Sequence, residues 1–410
     1  MIKIFDNTTK ILICSVVLLV FFTQSNAATA QELAEHHVIK LGMSTALSGP
    51  AAELGKNMQE GVLTGFDRVN RRGGIEGRKL KLLTLDDGYE PTRTAPNMRR
   101  LIQEEKVLAV LGNVGTPTAI SAIPIANQEK TLIFAPFTGA GVLRKDPPDR
   151  YVINFRASYE EEIAAMIDAL IGVVNLTPSE IAVFSQRDAY GDAGYHGTIS
   201  ALKRHGLKDE NTVPHVRYER NTLAVENALA TLLFLRAPPR AIIMVGAYGP
   251  CAKFIKLART VGVNALFLNV SFVGSTPLAN ALGKQIQNVI VTQVVPHPIE
   301  SSLPIVKEFQ TDLMTFSPSS RPTFGSLEGY IAARILIHAL NHIKGQPTRE
   351  GIVTALESLQ SFDLGLGKPL YLSAQRHQAS HQVWPTILRN GKFVSFHWQD
   401  LEKVINHGRS

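Results

Sequence analysis

The chain alternates short, continuous apolar runs with longer stretches whose apolar positions recur every three to four residues. The short runs, rich in Val, Ile and Leu, are residues 38–43, 80–85, 107–111, 132–135, 181–184, 241–245, 266–270 and 289–293. Such runs are typical of strands buried on both faces of a parallel sheet. The periodic stretches between them, such as 57–70, 160–173 and 224–235, predict helices. The alternation therefore predicts a doubly wound α/β fold.

Two local sequence patterns predict the ends of particular elements. Ser158 stands three residues before Glu161 at the start of a periodic stretch, which is the pattern of a capping box at a helix N-terminus. Near the C-terminus, strand-like segments at 384–388 and 393–398 flank Asn390-Gly391. Asn-Gly favours a two-residue hairpin turn, so we expect an antiparallel hairpin here.

The N-terminal segment predicts export. Lys3 and Lys10 precede an apolar run at 11–22, which is too short to span a bilayer comfortably. Small residues follow around positions 27 and 30, as a signal peptidase requires. We therefore expect a signal peptide over residues 1–30, cleaved near residue 27 or 30, and a periplasmic mature protein. An uncleaved N-terminal anchor is the alternative.

The remaining chain is longer than one hydrophobic core usually serves, which predicts two lobes.

Net charge and sequence motifs argue against several classes of function. The chain has 410 residues and a formal net charge of +7, but its Lys and Arg residues form no tract, so we expect no nucleic acid partner. We find no phosphate-binding loop, nucleophile elbow or zinc motif. The sequence therefore predicts a protein that is not an enzyme and carries no cofactor and no metal.

Glycine and hydroxyl residues follow two predicted strands. Gly115 and Thr116 come after the run at 107–111, and Phe137 and Thr138 come after the run at 132–135. In open α/β sheets the ligand crevice lies beyond the carboxyl ends of the strands. Free amides at a helix N-terminus there favour a carboxylate. These segments are candidates for ligand binding, and ordinary strand-to-helix turns are the alternative.

The succession of segments resembles the leucine/isoleucine/valine-binding protein family of type I periplasmic binding proteins. The resemblance runs from about residue 38 to the C-terminus. It is carried by residues 42–50, 70–80 with their Gly-Gly pair, 86–91, 190–194, and 273–275 through 282–283. It implies two Rossmann-like lobes joined by three crossovers, with a small ligand held between them. We expect lobe 1 at 38–155 plus 275–350 and lobe 2 at 156–274 plus 351–410.

The resemblance also implies a set of ligand-binding residues. Thr116 and Thr138, with backbone amides near Gly115 and Phe137, would hold a ligand carboxylate. Other contacts would come from Leu54 beside the ligand side chain, from Tyr190 and Tyr248 closing over it, and from Gln293 after the strand that returns to lobe 1.

One position departs from the family pattern. Relatives that bind amino acids carry an acidic residue where this chain has Ser271. A serine cannot neutralise a buried ammonium group, and an unpaired buried charge costs several kcal/mol. Either another acid serves, or the ligand lacks an ammonium group.

These expectations combine into one functional hypothesis and one alternative. The hypothesis is an extracytoplasmic solute-binding protein of an ABC importer, with a small amino acid, amide or carboxylate as ligand and a membrane permease as partner. The alternative is a periplasmic sensor that presents its ligand-bound state to a membrane receptor or regulator.

Overall fold

The computed structural model describes residues 37–407, with side chains to residue 404, and the predicted signal peptide lies outside this range. The first lobe is built on a parallel sheet with the strand order β2-β1-β3-β4-β5. Its strands are β1 (Val38–Thr45), β2 (Lys79–Asp86), β3 (Ala109–Leu111), β4 (Leu132–Phe134) and β5 (Val152–Ile153). The helices that accompany it are α1 (Ala52–Arg71), α2 (Pro91–Arg99), α3 (Thr116–Gln128), α9 (Pro304–Phe316), α10 (Phe324–Leu340) and α11 (Arg349–Glu357).

The second lobe has a seven-stranded sheet with the order β14-β13-β10-β9-β8-β6-β7. Its strands are β6 (Ile181–Gln186), β7 (His215–Tyr218), β8 (Ala241–Val245), β9 (Leu266–Asn269), β10 (Val289–Gln293), β13 (Trp384–Arg389) and β14 (Lys392–Ser395). Its helices are α4 (Tyr159–Gly172), α5 (Ala189–Arg204), α6 (Glu226–Leu233), α7 (Tyr248–Thr260), α8 (Ser275–Leu282) and α12 (Leu401–His407). A separate antiparallel pair, β11 (Gln360–Phe362) and β12 (Leu370–Leu372), stands apart from both sheets.

The predicted α/β class is confirmed, and each of the eight predicted strand runs forms a strand. The hairpin is also confirmed: β13 pairs antiparallel with β14, and Asn390 and Gly391 both have positive φ, at 51° and 76°. This is the geometry of a type I′ turn. The capping box forms as well, because Ser158 Oγ accepts from Glu161 N at 3.1 Å and Ser158 N donates to Glu161 Oε2 at 2.6 Å.

The lobe boundaries differ from the expected ones at two places. Residues 275–293 were expected in lobe 1, but β10 pairs with β9 and β13 in the second sheet. The chain returns to the first lobe only after Gln293. Residues 351–372 were expected in lobe 2, but they lie on the first lobe. Arg349 of α11 donates there to the carbonyls of Ile102 at 2.7 Å and Val107 at 3.2 Å, and Ile305 N donates to Gly365 O at 3.4 Å. In both cases the lobe to which the segment belongs depends on sheet pairing and packing, which the local sequence does not encode.

Three crossovers join the lobes, after β5, after β10 and between β12 and β13. Two of them run side by side: Asn154 N donates to His377 O at 2.7 Å, and Ala379 N donates to Asn154 O at 3.0 Å. The lobes therefore share a hydrogen-bonded hinge. No helix among the described residues is long and apolar enough to cross a bilayer.

Helices α1 and α10 pack closely because glycines stand at their contact. A Cβ atom on Gly61 would overlap the carbonyl oxygen of Ser326, and one on Gly329 would overlap the carbonyl oxygen of Met58. Only a residue without a side chain allows the two backbones to approach this closely.

We predict that Gly61→Ala lowers the free energy of unfolding by about 1–3 kcal/mol, because the added methyl group has no room between α1 and α10. Gly172→Ala is the matched control, since nothing lies within 4 Å of a Cβ at that helical position. Denaturant unfolding of the two variants measures the difference. Equal midpoints would contradict the close packing.

Candidate ligand site between the lobes

A cavity lies between the lobes and takes its walls from both. The first lobe contributes the start of α1, the loop after β4 and the start of α10, and the second lobe contributes the segments after β9 and β10. The lining residues are Leu54, Asn57, Phe137, Ser271, Gly274, Ser275, Thr276, Pro277, Gln293, Val294, Val295, Thr323, Phe324, Gly325 and Glu328. The cavity volume is about 20 Å³, which is room for about one water molecule. A larger ligand enters only if the lobes move apart.

Arg156 lies buried in the crossover beside this cavity, with 1 % of its side chain exposed. Its Nη2 donates to Glu162 Oε1 at 3.3 Å and to Ser271 Oγ, and its Nη1 lies 3.5 Å from Glu328 Oε1. The guanidinium carbon stands 4.9 Å above the ring of Phe137. Nε and Nη1 have no hydrogen-bond acceptor in the described part of the chain. Arg156 thus joins both lobes while part of its donor capacity stays unused.

Glu162, in α4, pairs with Arg156 and accepts several further hydrogen bonds. Besides Arg156, it accepts from Ser271 N at 2.7 Å, Ser271 Oγ at 2.9 Å and Thr292 Oγ1 at 2.6 Å. The Arg156 charge and these donors favour its ionised form, but complete burial outweighs them and keeps the pKa of Glu162 above its ordinary value.

Glu328, in α10, is buried with far fewer partners. It is 3 % exposed and lines the cavity. Among the described residues its only charged neighbour within ion-pair distance is Arg156, and no hydrogen bond reaches its carboxylate. Burial, opposed by the Arg156 charge, raises its pKa to about 7.

An aromatic cluster fills the space between the cavity and the strand-end loops. The ring centroid of Phe272 lies 4.5 Å from that of Tyr190, 5.6 Å from that of Phe137 and 5.8 Å from that of Tyr89. Phe272 is completely buried. It follows Ser271 directly, so the loop after β9 inserts its ring between the lobes.

Four of the predicted site residues come together around the cavity: Leu54, Phe137, Ser271 and Gln293. Gln293 reaches it from the end of β10 in the second sheet, whereas it was expected after a strand of the first lobe. Its Nε2 donates to Ser275 Oγ at 2.7 Å. Tyr248 begins α7, half-buried beside Gly274.

The other predicted residues lie behind the aromatic cluster. Thr116 Oγ1 and Thr138 Oγ1 are 2.7 Å apart and hydrogen-bonded to each other. Gly115 has a φ of 105°, and a Cβ there would overlap the ring of Tyr89. Tyr190 is buried against Phe272 and donates to Gly246 O at 3.4 Å. Their role in ligand binding stays a prediction.

Sequence reasoning missed three residues at the site: Arg156, Phe272 and Glu328. Arg156 stands at the expected boundary between lobe 1 and lobe 2, and Glu328 is one of two Asp, Glu, Lys or Arg residues in the otherwise largely apolar α10. A lone charge on a buried helix face was the available signal. Among the described residues, no three His, Cys, Asp or Glu side chains gather as a metal site.

Polar contacts also cross the cleft on the side away from the cavity. Glu90 of the first lobe accepts from Arg220 Nη2 at 2.9 Å and from Asn221 Nδ2 at 2.6 Å, both of the second lobe. Gln186 Nε2 donates to Tyr89 Oη at 3.1 Å. We call the contacts of Glu90 with Arg220 and Asn221 the latch. The latch holds the lobes together only when they are closed.

Two lobes, three crossovers and a cavity lined from both sides define a protein that binds a small molecule by closing around it. The family model described as periplasmic binding protein matches residues 38–392, so the chain belongs to the periplasmic binding protein family. The expected family and the type I fold are thereby confirmed. Members of this family bind solutes and are not enzymes.

Individual relatives agree with this assignment. The crystal structure of a possible leucine/isoleucine/valine-binding protein from Rhodopirellula baltica SH 1 is 50% identical, with a TM-score of 0.87 over 90% of this chain and 98% of that one. The Leu/Ile/Val-binding protein homolog 7 of Brucella abortus (strain 2308) is 25% identical over 89% of this chain and 90% of its own length. An amino acid binding protein of Pseudomonas aeruginosa is 24% identical over 66% of this chain and 71% of its own.

We predict that Glu90→Gln shifts the protein towards an open form, because the latch loses its charged acceptor. The contacts are partly exposed, so the ratio of closed to open molecules should fall by about two- to fivefold. Energy transfer between dyes on the two lobes measures this ratio. Glu219→Gln is the control, since Glu219 pairs with Arg187 at 2.7 Å within the second lobe. An unchanged ratio for Glu90→Gln would show that the latch does not contribute to closure.

Proposed function

We propose that this chain is the extracytoplasmic solute-binding subunit of an ABC importer and that it holds a small amino-acid-like or carboxylate ligand between its lobes. The observation that carries the proposal is the cavity whose walls come from both lobes. Because the cavity here has room for about one water molecule, the lobes must stand further apart around a ligand, and a ligand held between them contacts both lobes. It therefore favours the closed form by its differential affinity, which a membrane permease can recognise.

The lining of the cavity supports a ligand with an apolar body and a charged group. Leu54, Phe137 and Phe324 supply apolar walls, while Glu328 and the first turn of α8 supply polar ones. Pockets of this mixed kind use a few polar groups to orient a mainly apolar ligand. The names of the relatives, which include amino acid and Leu/Ile/Val-binding proteins, support the same ligand class.

Export to the periplasm is part of the proposal. It rests on the predicted signal peptide over residues 1–30 and on membership in the periplasmic binding protein family. The permease partner and the importer context rest on the same membership.

We predict that a cognate amino acid or small carboxylate stabilises the native protein against heat. At a free ligand concentration 100 times Kd, the gain in the free energy of unfolding is about 2.7 kcal/mol. The test uses residues 31–410, stripped of bound ligand by unfolding and refolding, with a panel of amino acids, amides and carboxylates. Neutral sugars serve as the control set. If no member of the panel raised the melting temperature, the proposed ligand class would be wrong.

A further inference from the structure

We infer that Glu328 is the acceptor for an ammonium group on the ligand, so that the solute is an amino acid or a closely related amine and not a simple carboxylate. This inference rests on the proposed function and specifies its ligand.

The geometry of Glu328 is that of an acceptor with free capacity. Glu328 lines the cavity and is 3 % exposed, and its carboxylate receives no hydrogen bond from the described residues. A buried carboxylate normally has several donors, because burial without them costs free energy. An ammonium group in the cavity would supply up to three.

The charge balance around Glu328 points to the same ligand group. One guanidinium, that of Arg156, lies between two buried carboxylates, Glu162 and Glu328. Glu162 is satisfied by its own donors and lies closer to Arg156. Arg144, the other nearby cation, donates to Gln378 at 2.6 Å and to backbone carbonyls. When Glu162 and Glu328 are both ionised, the single guanidinium of Arg156 faces two carboxylates within ion-pair distance, and a ligand ammonium beside Glu328 would complete the pairing.

Position 271 leaves no place for a further acid beside Glu162. The Ser271 hydroxyl accepts from Arg156 and donates to Glu162 at 2.9 Å. A carboxylate at position 271 would meet Glu162 within hydrogen-bond distance, and two like charges so close disfavour each other. The serine thus belongs with Glu162, and the acid that faces the ligand stands across the cavity in α10.

Protonation of Glu328 makes this site sensitive to pH. Its pKa of about 7 is raised by burial, and the charges that face it are Arg156, Glu162 and, further away, Arg144. Only the ionised form pairs with an ammonium group. Affinity for the amine-bearing ligand should therefore be full well above this pKa and fall about tenfold for each pH unit below it, and binding there should release the proton of Glu328.

The experiment compares matched probes that differ in one charged group. L-leucine, isocaproate and isoamylamine share a side chain, as do L-phenylalanine, hydrocinnamate and phenethylamine. Calorimetry on residues 31–410 at pH 6, 7 and 8 measures their affinities for the wild type and for Glu328→Gln, Glu328→Asp and Glu53→Gln. The last variant removes an exposed carboxylate that pairs with Lys56 at 3.6 Å next to the cavity lining, and it controls for general attraction of cations.

We expect the wild type to bind an amino acid of the panel more tightly than the acid that lacks the amino group. Glu328→Gln should weaken amino acid binding at least about 30-fold and abolish its pH dependence and proton release. Glu328→Asp should restore part of the affinity, and Glu53→Gln should change little. Glu328→Gln should also melt no lower than the wild type at pH 8, because burial raises the pKa of Glu328 to about 7 and its ionised form is therefore unfavourable in the folded protein at that pH.

Two results would overturn the inference while leaving the proposed function intact. One is a wild type that binds isocaproate or hydrocinnamate as tightly as the amino acid. The other is a folded Glu328→Gln variant that binds the amino acid like the wild type. If the wild type bound no probe and no compound of the wider panel, the proposed function and the inference would fail together.

Discussion

The arrangement of the lobes depends on one buried guanidinium. Removing the charge of Arg156 from water costs several kcal/mol unless it is paired. Its two carboxylate partners come from different lobes, Glu162 from α4 and Glu328 from α10. If Arg156 stays with Glu162, opening the lobes at this point breaks its ion pair with Glu328. The electrostatics of the cavity and the relative position of the lobes are therefore coupled through a single side chain.

Different interactions hold the two sides of the cleft. Next to the crossovers, buried charges and the ring of Phe272 fill the interface, where a misplaced group has a high free-energy cost. At the opposite side, Glu90, Arg220 and Asn221 are partly exposed, so water replaces their hydrogen bonds when they separate. The first side thus sets the geometry of the closed form, and the latch adjusts how often that form is populated. This division suits a protein that must close around a ligand and open again.

The fold was predictable from sequence to the extent that local patterns decide it. The central strands of the two sheets, such as β3, β4, β8 and β9, are buried on both faces, so their apolar runs stand out. Asn390-Gly391 specifies the hairpin turn directly. The two-residue strand β5, the edge strand β7 and the small pair β11–β12 were missed. Each has few buried residues and little pattern. The lobe boundaries were wrong where they depended on which sheet β10 joins, because a strand carries no local label for its partner.

The sequence by itself determined the fold class, the alternation of strands and helices, the capping box at Ser158 and the family. These features depend on periodicity, turn chemistry and ordered motifs, which are all local. Only the tertiary structure decided the composition of the cavity, where Leu54, Phe137, Ser271 and Gln293 meet and where Thr116 and Thr138 bond to each other instead. It also brought Arg156 between Glu162 and Glu328. The physical reason is that burial and charge pairing depend on neighbours from distant segments, and those neighbours exist only after the chain has folded.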